Sequence, residues 1–166
     1  MIPVLRTARL RLRPFREADL DAYAAMCADA EVMQHIGTGG PVDRVNAWRQ
    51  IAIFVGHWEL RGYGMWALEH EGRLVGRAGF LHGEGWPGCE LGWLLARDAW
   101  GRGLAFEAAS AALRYGRDAL GLSEVISLIR AANVRSIALA ERLGATNTGT
   151  IEFMGGEALR YLHRGG

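Results

Sequence analysis

The stretch Glu90-Leu91-Gly92-Trp93-Leu94-Leu95-Ala96-Arg97-Asp98-Ala99-Trp100-Gly101-Arg102-Gly103-Leu104-Ala105 limits what this chain can become more than any other. It opens as a short apolar strand over 91–95, passes a polar turn at Arg97-Asp98, and reaches Gly101-Arg102-Gly103 directly before an alanine-rich helical pattern. Strand, glycine loop and helix start together present backbone N–H groups to an anion. The first N–H groups of a helix have no intrahelical partner, and glycine lets a ligand approach the backbone closely. The glycines alone leave two readings open: a phosphate or pyrophosphate cradle, or an ordinary loop before a helix, since short glycine motifs often match by chance. Two nucleotide-binding loops are excluded. No Gly-Lys-Ser/Thr is present, and Phe106 stands where the dinucleotide fingerprint needs its third glycine. Glu124 lies at the distance of a ribose-binding acid, but the surrounding elements are not a βαβ unit.

The length of 166 residues fits a single domain spanning 1–166, large enough for a core without staples. The 19 basic and 18 acidic side chains nearly cancel, which argues against nucleic acid or an anionic membrane as the main partner. Arginines cluster at 6–16 and 97–117, and the first cluster reads as a solvated strand face. Cys27 and Cys89 form neither a disulfide framework nor a metal motif, so a reduced, cytoplasmic setting and no metal are expected. Arg6, Arg9, Arg11 and Arg13 interrupt any signal-peptide core, and no window approaches the roughly 18 apolar residues of a membrane span.

Residues 7–13 alternate, with Ala8, Leu10 and Leu12 on one face and arginines on the other, a half-exposed strand. A helix is predicted over 17–29, then a loop over 36–41, then a helix over 42–61. That helix would bury Val45, Trp48, Ile51, Ala52, Val55 and Trp58 and end at Gly62. Strands over 64–69 and 74–80 join at Glu71-Gly72, a hairpin signal. After a glycine-rich loop come the strand over 90–95 and a helix over 103–119, with a stripe of Phe106, Ala109, Leu113, Gly116 and Leu120. Val125 to Ile129 is a buried strand, and Asn133 caps a short helix over 134–143. A hairpin over 148–154 and 158–163 closes a mixed αβ (α+β) chain of order β-α-α-β-β-β-α-β-α-β-β. Of the tryptophans, Trp48, Trp58 and Trp66 are expected in the core, while Trp86 either walls a site or packs half-exposed on its loop.

Taken together, the opening Thr7-Ala8-Arg9-Leu10-Arg11-Leu12-Arg13-Pro14-Phe15, Trp66-Ala67-Leu68, Glu90-Leu91-Gly92-Trp93-Leu94 and Asn133-Val134-Arg135-Ser136 carry a family pattern. With the element order, they resemble the GNAT (Gcn5-related) N-acetyltransferases, in particular the RimJ/RimL-like branch that acetylates N-termini of ribosomal proteins. The resemblance spans nearly the whole chain. It implies the GNAT fold: a mostly antiparallel twisted sheet, splayed between the strand at 90–95 and the strand at 124–129, and flanked by helices.

It also implies a cosubstrate, acetyl-CoA. The family's loop pattern Gln/Arg-x-x-Gly-x-Gly/Ala reads here as Trp100-Gly101-Arg102-Gly103-Leu104-Ala105, with Trp in the first place. By resemblance, N–H groups of 101–105 hold the pyrophosphate. Arg102 either adds a charge-assisted contact or is a solvated loop arginine. Main-chain groups of Leu94 and Leu95 would bind the pantetheine arm in the splay, and one N–H would stabilise the oxyanion. Asn133 is a helix cap, a contact to the arm, or both.

For the general base, Glu90 is the first candidate, against the reading of an exposed strand-end carboxylate, with Glu84 second and His82 nearby. The tyrosine that many family members use toward the leaving thiolate is replaced by Ala140, which leaves Ser136 as substitute acid or as part of the cap. The expected reaction is acetyl transfer to the primary amine of a peptide or protein N-terminus or of a small molecule, by direct attack in a ternary complex. A non-catalytic acyl-CoA-binding sensor or scaffold, and a binding protein for another phosphorylated ligand, are the rival readings. A homodimer is left open.

Overall fold

The computed structural model describes residues 1–164. Its N-terminal strand is shorter than the alternation of residues 7–13 predicts. It divides into β1 (Leu5–Arg6) and β2 (Arg11–Arg13), separated by a turn closed by the Thr7 N–H on the Leu10 carbonyl at 3.0 Å. Leu10 and Leu12 are buried as expected, but Ala8 is exposed. Arg13 is not on a solvated face. It is 4% exposed and donates to Asp19 at 2.8 Å and to Glu69 at 2.7 Å. Two carboxylates make its burial tolerable, and the bond to Arg13 holds the Glu69 carboxyl below the usual range.

A single turn of tight helix over Glu17–Asp19 leads into α1 (Leu20–Ala28). Asp29 then breaks the helix and caps a second short one, α2 (Ala30–Met33), by accepting from the Glu31 N–H at 3.0 Å. Asp43 likewise caps α3 (Arg44–Arg61), and Gly62, at φ 76, ends it as expected. The buried face of α3 differs from the expected one: Ala47, Ile51, Phe54, His57 and Trp58 point inward, whereas Val45, Trp48, Ala52 and Val55 are exposed. Apolar residues cover two faces of this helix, so periodicity could not choose between them. Aromatic packing does. Phe54 sits 5.3 Å from Phe15 and 6.1 Å from Tyr23, ring centroid to centroid.

β3 (Met65–His70) and β4 (Arg73–Leu81) form the expected hairpin, with Glu71 and Gly72 both at positive φ, as a two-residue primed turn requires. β5 (Glu90–Leu95) pairs antiparallel with β4. Then follow α4 (Leu104–Leu120), β6 (Glu124–Ile129), α5 (Val134–Arg142), β7 (Thr146–Phe153) and β8 (Gly156–Arg164). The described strands form one sheet in the order β1-β2-β3-β4-β5-β6-β8-β7. All its pairings are antiparallel except β5 with β6.

Each sheet face has its own cover. Trp66, Leu68, Ala78, Phe80, Leu91 and Leu95 pack on α4, while Met65, Ala67 and Leu94 pack toward α1–α3. α4 buries Leu104, Ala108, Ala109, Ala111, Ala112 and Gly116; of the expected stripe, Phe106, Leu113 and Leu120 stay half-buried. The reason is closeness of approach: a Cβ at Gly116 would stand 2.7 Å from Phe80 Cζ. Gly76 lies under a tighter constraint, since its Cβ would meet the Leu94 carbonyl oxygen at 2.2 Å. Gly76→Ala is therefore expected to destabilise the protein by about 1–3 kcal/mol through overpacking between β4 and β5; the midpoint of urea unfolding measures it. Among the described residues, no helix is long and apolar enough to cross a membrane.

Candidate active site

β5 and β6 run parallel but share one register pair, Glu90 opposite Ile126, with the Ile126 N–H on the Cys89 carbonyl at 2.9 Å. Beyond it the two strands share no further register pair, while on its other edge β6 pairs along its whole length with β8. Where the gap opens, a side chain replaces the ladder: Ser127 Oγ donates to the Leu91 carbonyl at 2.8 Å. Ser127 accepts in turn from His163 Nε2 at 2.8 Å. His163 is buried, and burial pushes its pKa down to about 4, so the ring is neutral and acts as a donor.

The gap decides which main-chain groups of β5 are free. On the gap side, Ser127 holds the Leu91 carbonyl and Trp100 Nε1 donates to the Leu95 carbonyl at 3.0 Å. Backbone groups of alternate residues in an antiparallel strand point to opposite edges. Leu91, Trp93 and Leu95 therefore address the gap, and Leu94 addresses its partner Arg77 on β4. Of the two predicted residues, Leu95 addresses the gap and Leu94 does not; Trp93 stands there in its place. Alternation in sequence does not reveal which set faces which edge, so only the structure could choose.

The groove continues from the gap to the glycine loop and encloses about 930 Å³, lined by Leu94, Leu95, Trp100, Gly101, Gly103, Leu104 and Ala105. Gly101 and Gly103 have φ of 71 and 75, values that β-branched side chains adopt only under strain. No side chain caps the start of α4, so its first N–H groups remain available to an anion. Of the two readings of Arg102, the exposed loop arginine fits better, since the residue does not line the groove. Its side chain turns to the far side of the loop and meets His70 Nε2 at 2.9 Å, while its carbonyl accepts from Arg9 at 2.7 Å. Arg9 is anchored to Glu107 of α4 at 2.7 Å. The loop is thus braced from behind by Arg9 of the opening stretch and by Glu107 and His70, which no motif singled out.

Trp100, in the place of the family's Gln or Arg, has its indole ring under the Arg135 guanidinium at 4.1 Å. Arg142 lies over Phe106 at the same distance. These arginines stand on the α5 side of the groove. Asn133 caps α5 by accepting from the Ser136 N–H at 3.3 Å. Ser136 Oγ accepts from Trp93 Nε1 at 3.1 Å, which leaves its own proton free to be donated. Ala140 is fully buried against Ile129, Ala145 and Tyr161.

A second chamber of about 400 Å³ lies on the α1–α3 side and meets the groove at Trp93, Asn133 and Ser136. Glu90 lines it. Its carboxylate accepts from Trp86 Nε1 at 2.7 Å. Burial raises its pKa, opposed by the bond from Trp86, the charge of Arg77 and the backbone of Leu128. Glu90 is therefore not an ordinary exposed strand-end carboxylate. Trp86 walls the chamber against Phe153, the rings 5.2 Å apart. Glu84 is exposed on the loop, and the His82 N–H is bonded to His57 at 2.9 Å; neither lines the chamber. Cys27 and Cys89 are held as thiols by burial, Cys89 pushed up to about 11. Among the described residues no cluster of His, Cys, Asp or Glu suits a metal ion.

A splayed sheet edge, an uncapped helix start behind two left-handed glycines, and an acid in an adjoining chamber thus lie around one continuous opening in the sheet. Residues 9–146 match the family model described as an acetyltransferase (GNAT) domain, and the chain belongs to that family. It is 35% identical to an acetyltransferase of Agrobacterium tumefaciens of known structure, with a TM-score of 0.90 over 99% of this chain and 96% of that one. It is 27% identical to the uncharacterized N-acetyltransferase YoaA of Bacillus subtilis, over 91% of this chain and 87% of that one. It is 30% identical to FsC-acetyl coenzyme A-N(2)-transacetylase of Aspergillus fumigatus, covering 89% of this chain and 67% of that one. The fold is the GNAT fold that the sequence led us to expect.

Proposed function

We propose that this protein transfers an acetyl group from acetyl-CoA to a primary amine by direct attack in a ternary complex. The observation that carries the reading is the meeting of two cavities at Trp93 and Ser136, with a half-buried carboxyl whose pKa is raised, Glu90, in the second. The residues of the groove suit the cosubstrate. Its glycine loop and helix start accept a pyrophosphate, the free edge of β5 accepts an extended amide-bearing arm, and Arg135 and Arg142 add positive charge. The Asn133, Val134, Arg135, Ser136 run supports kinship with the RimJ/RimL-like branch.

In this reading Glu90 takes a proton from the amine, directly or through water, as the nitrogen attacks the thioester carbon. The Trp93 N–H faces the gap and stabilises the negative charge that builds on the carbonyl oxygen. Leu95 holds the arm further along. The new C–N bond forms, the C–S bond breaks, and the thiolate takes a proton from Ser136 or water. An ordinary thiol has a pKa of about 8.5, so the leaving group needs modest help. Ser136→Ala is accordingly expected to lower kcat by about 10-fold, below the usual range for a general acid, without weakening acetyl-CoA binding; steady-state thiol release and calorimetry separate the two.

The decisive experiment incubates the protein with acetyl-CoA and a panel of amines and peptides and follows free thiol and acetylated product. Turnover with any amine removes the sensor reading, which the buried alanine at 140 favours. Acetyl-CoA affinity without turnover on any of them overturns the transferase.

A further inference from the structure

The acceptor chamber contains two guanidinium groups, and among the described residues neither has a carboxylate partner within ion-pair distance. Arg130 is engaged through both terminal nitrogens with neutral oxygens. It donates to the carbonyls of Gly37 at 3.0 Å, Phe153 at 2.8 Å and Glu157 at 3.1 Å. These bonds tie the 36–41 loop to the tip of the β7–β8 hairpin and wall the chamber.

Arg77 is different. It rises from β4 across the face of β5 at Gly92, where a Cβ would stand 3.9 Å from its Nη1. The absent side chain makes room for the guanidinium, beside the strand position two residues from Glu90 and on the same face. Its Nε donates to the Tyr23 hydroxyl at 3.1 Å, and its carbon lies 5.3 Å from the Phe54 ring centre. Its Nη1 lies 3.9 Å from the Met65 sulfur. Glu90 feels its charge across the chamber but is not within ion-pair distance, and neither Tyr23 nor Phe54 neutralises it. Burial pushes the Tyr23 phenol up to about 12, and Cys27 is also held neutral, so no phenolate or thiolate serves as counter-ion. A half-buried cation in an apolar recess is costly without an anion. A guanidinium with donors left over is suited to bind a carboxylate.

We propose that the acceptor is a small amino acid, its amine at Glu90, its own carboxylate on Arg77, and an apolar side chain against Met33, Ile36 and Phe153. This assignment rests on the acetyl-transfer reading above. The reaction then balances simply: the amine nitrogen gains the acetyl group, its proton passes to Glu90, and the thiolate of CoA leaves. A chamber of about 400 Å³ suits a molecule of that size.

The test compares L-methionine and L-phenylalanine with methioninamide, phenylalaninamide and a Met-initiated peptide amide, each with acetyl-CoA, reading product by mass spectrometry. The free acids should exceed their amides in kcat/KM by about 10- to 100-fold, the range of a hydrogen bond to a charged group. Arg77→Gln should collapse that ratio toward unity, and Arg77→Lys should restore part of it. Amides or the peptide turning over as fast as the acids in the parent protein would overturn the inference while sparing the transferase, and this comparison needs no variant. No product with any amine in the panel would overturn both.

Discussion

Glu90→Gln is expected to reduce kcat by about 10²- to 10⁴-fold, the range of a lost general base, with acetyl-CoA affinity close to that of the parent. Glutamine keeps the shape and can still accept from Trp86 Nε1, which now lies 2.7 Å from the carboxylate. It cannot take a proton. The pH profile provides the stronger check. In the parent, burial raises the Glu90 pKa, so kcat/KM should climb as pH rises through that elevated value, where the base becomes charged. In the variant that limb should vanish. An unchanged limb with an unchanged rate would move the base to solvent. Stability should shift the other way. A carboxyl whose folded pKa is raised stabilises the fold fully below its unfolded value, about 4.3, and that contribution is lost as pH rises through the folded pKa. At neutral pH the parent therefore carries a penalty that glutamine lacks. Glu90→Gln should unfold at a higher denaturant concentration at pH 8 and show no such advantage at pH 4. A less active and more stable variant is the usual signature of a strained functional group.

Gly103→Val should abolish acetyl-CoA binding, weakening it by more than about 100-fold, a loss of at least 2.7 kcal/mol. Gly103 precedes α4 with φ at 75, a region where a non-glycine residue costs about 1–3 kcal/mol, and more when β-branched. The added Cβ would also touch Arg9 Nη2 at 3.4 Å, on the guanidinium that braces the loop from behind through its Nη1 and Nε. The chain has two ways to respond. It can keep the left-handed turn under strain with a branched side chain beside the N–H groups, or it can relax the turn and aim them elsewhere. Both remove the cradle. Calorimetry with acetyl-CoA and with free CoA measures the loss, and far-UV circular dichroism checks that α4 survives. Retained affinity would show that the anion site lies elsewhere along the groove.

Much of this architecture was legible in the sequence where a local rule acts alone. The Glu71-Gly72 hairpin, the Asn133 cap and the Gly62 terminus each follow from the conformational demands of a few residues. Legibility failed where a choice depends on distant partners. The inward face of α3 was decided by Phe15 and Tyr23, and Arg13 entered the core because Asp19 and Glu69 came to meet it. The site divides the same way. The glycine loop, Glu90, Asn133 and Ser136 were all placed around the two cavities. The substitution of Trp93 for Leu94 depends on which edge of β5 is open. Arg77 lies on a different strand from Glu90, so no spacing in sequence joins them.

The single backbone pair between Glu90 and Ile126 has a mechanical meaning. The sheet consists of two plates, β1 to β5 and β6 to β8, fastened at one end by that pair and by the Ser127 hydroxyl, and open like a clothes-peg at the other. On the acetyl-transfer reading, the donor's extended arm would lie across this seam and touch both plates, so acetyl-CoA should raise the unfolding midpoint of the whole sheet rather than of one plate.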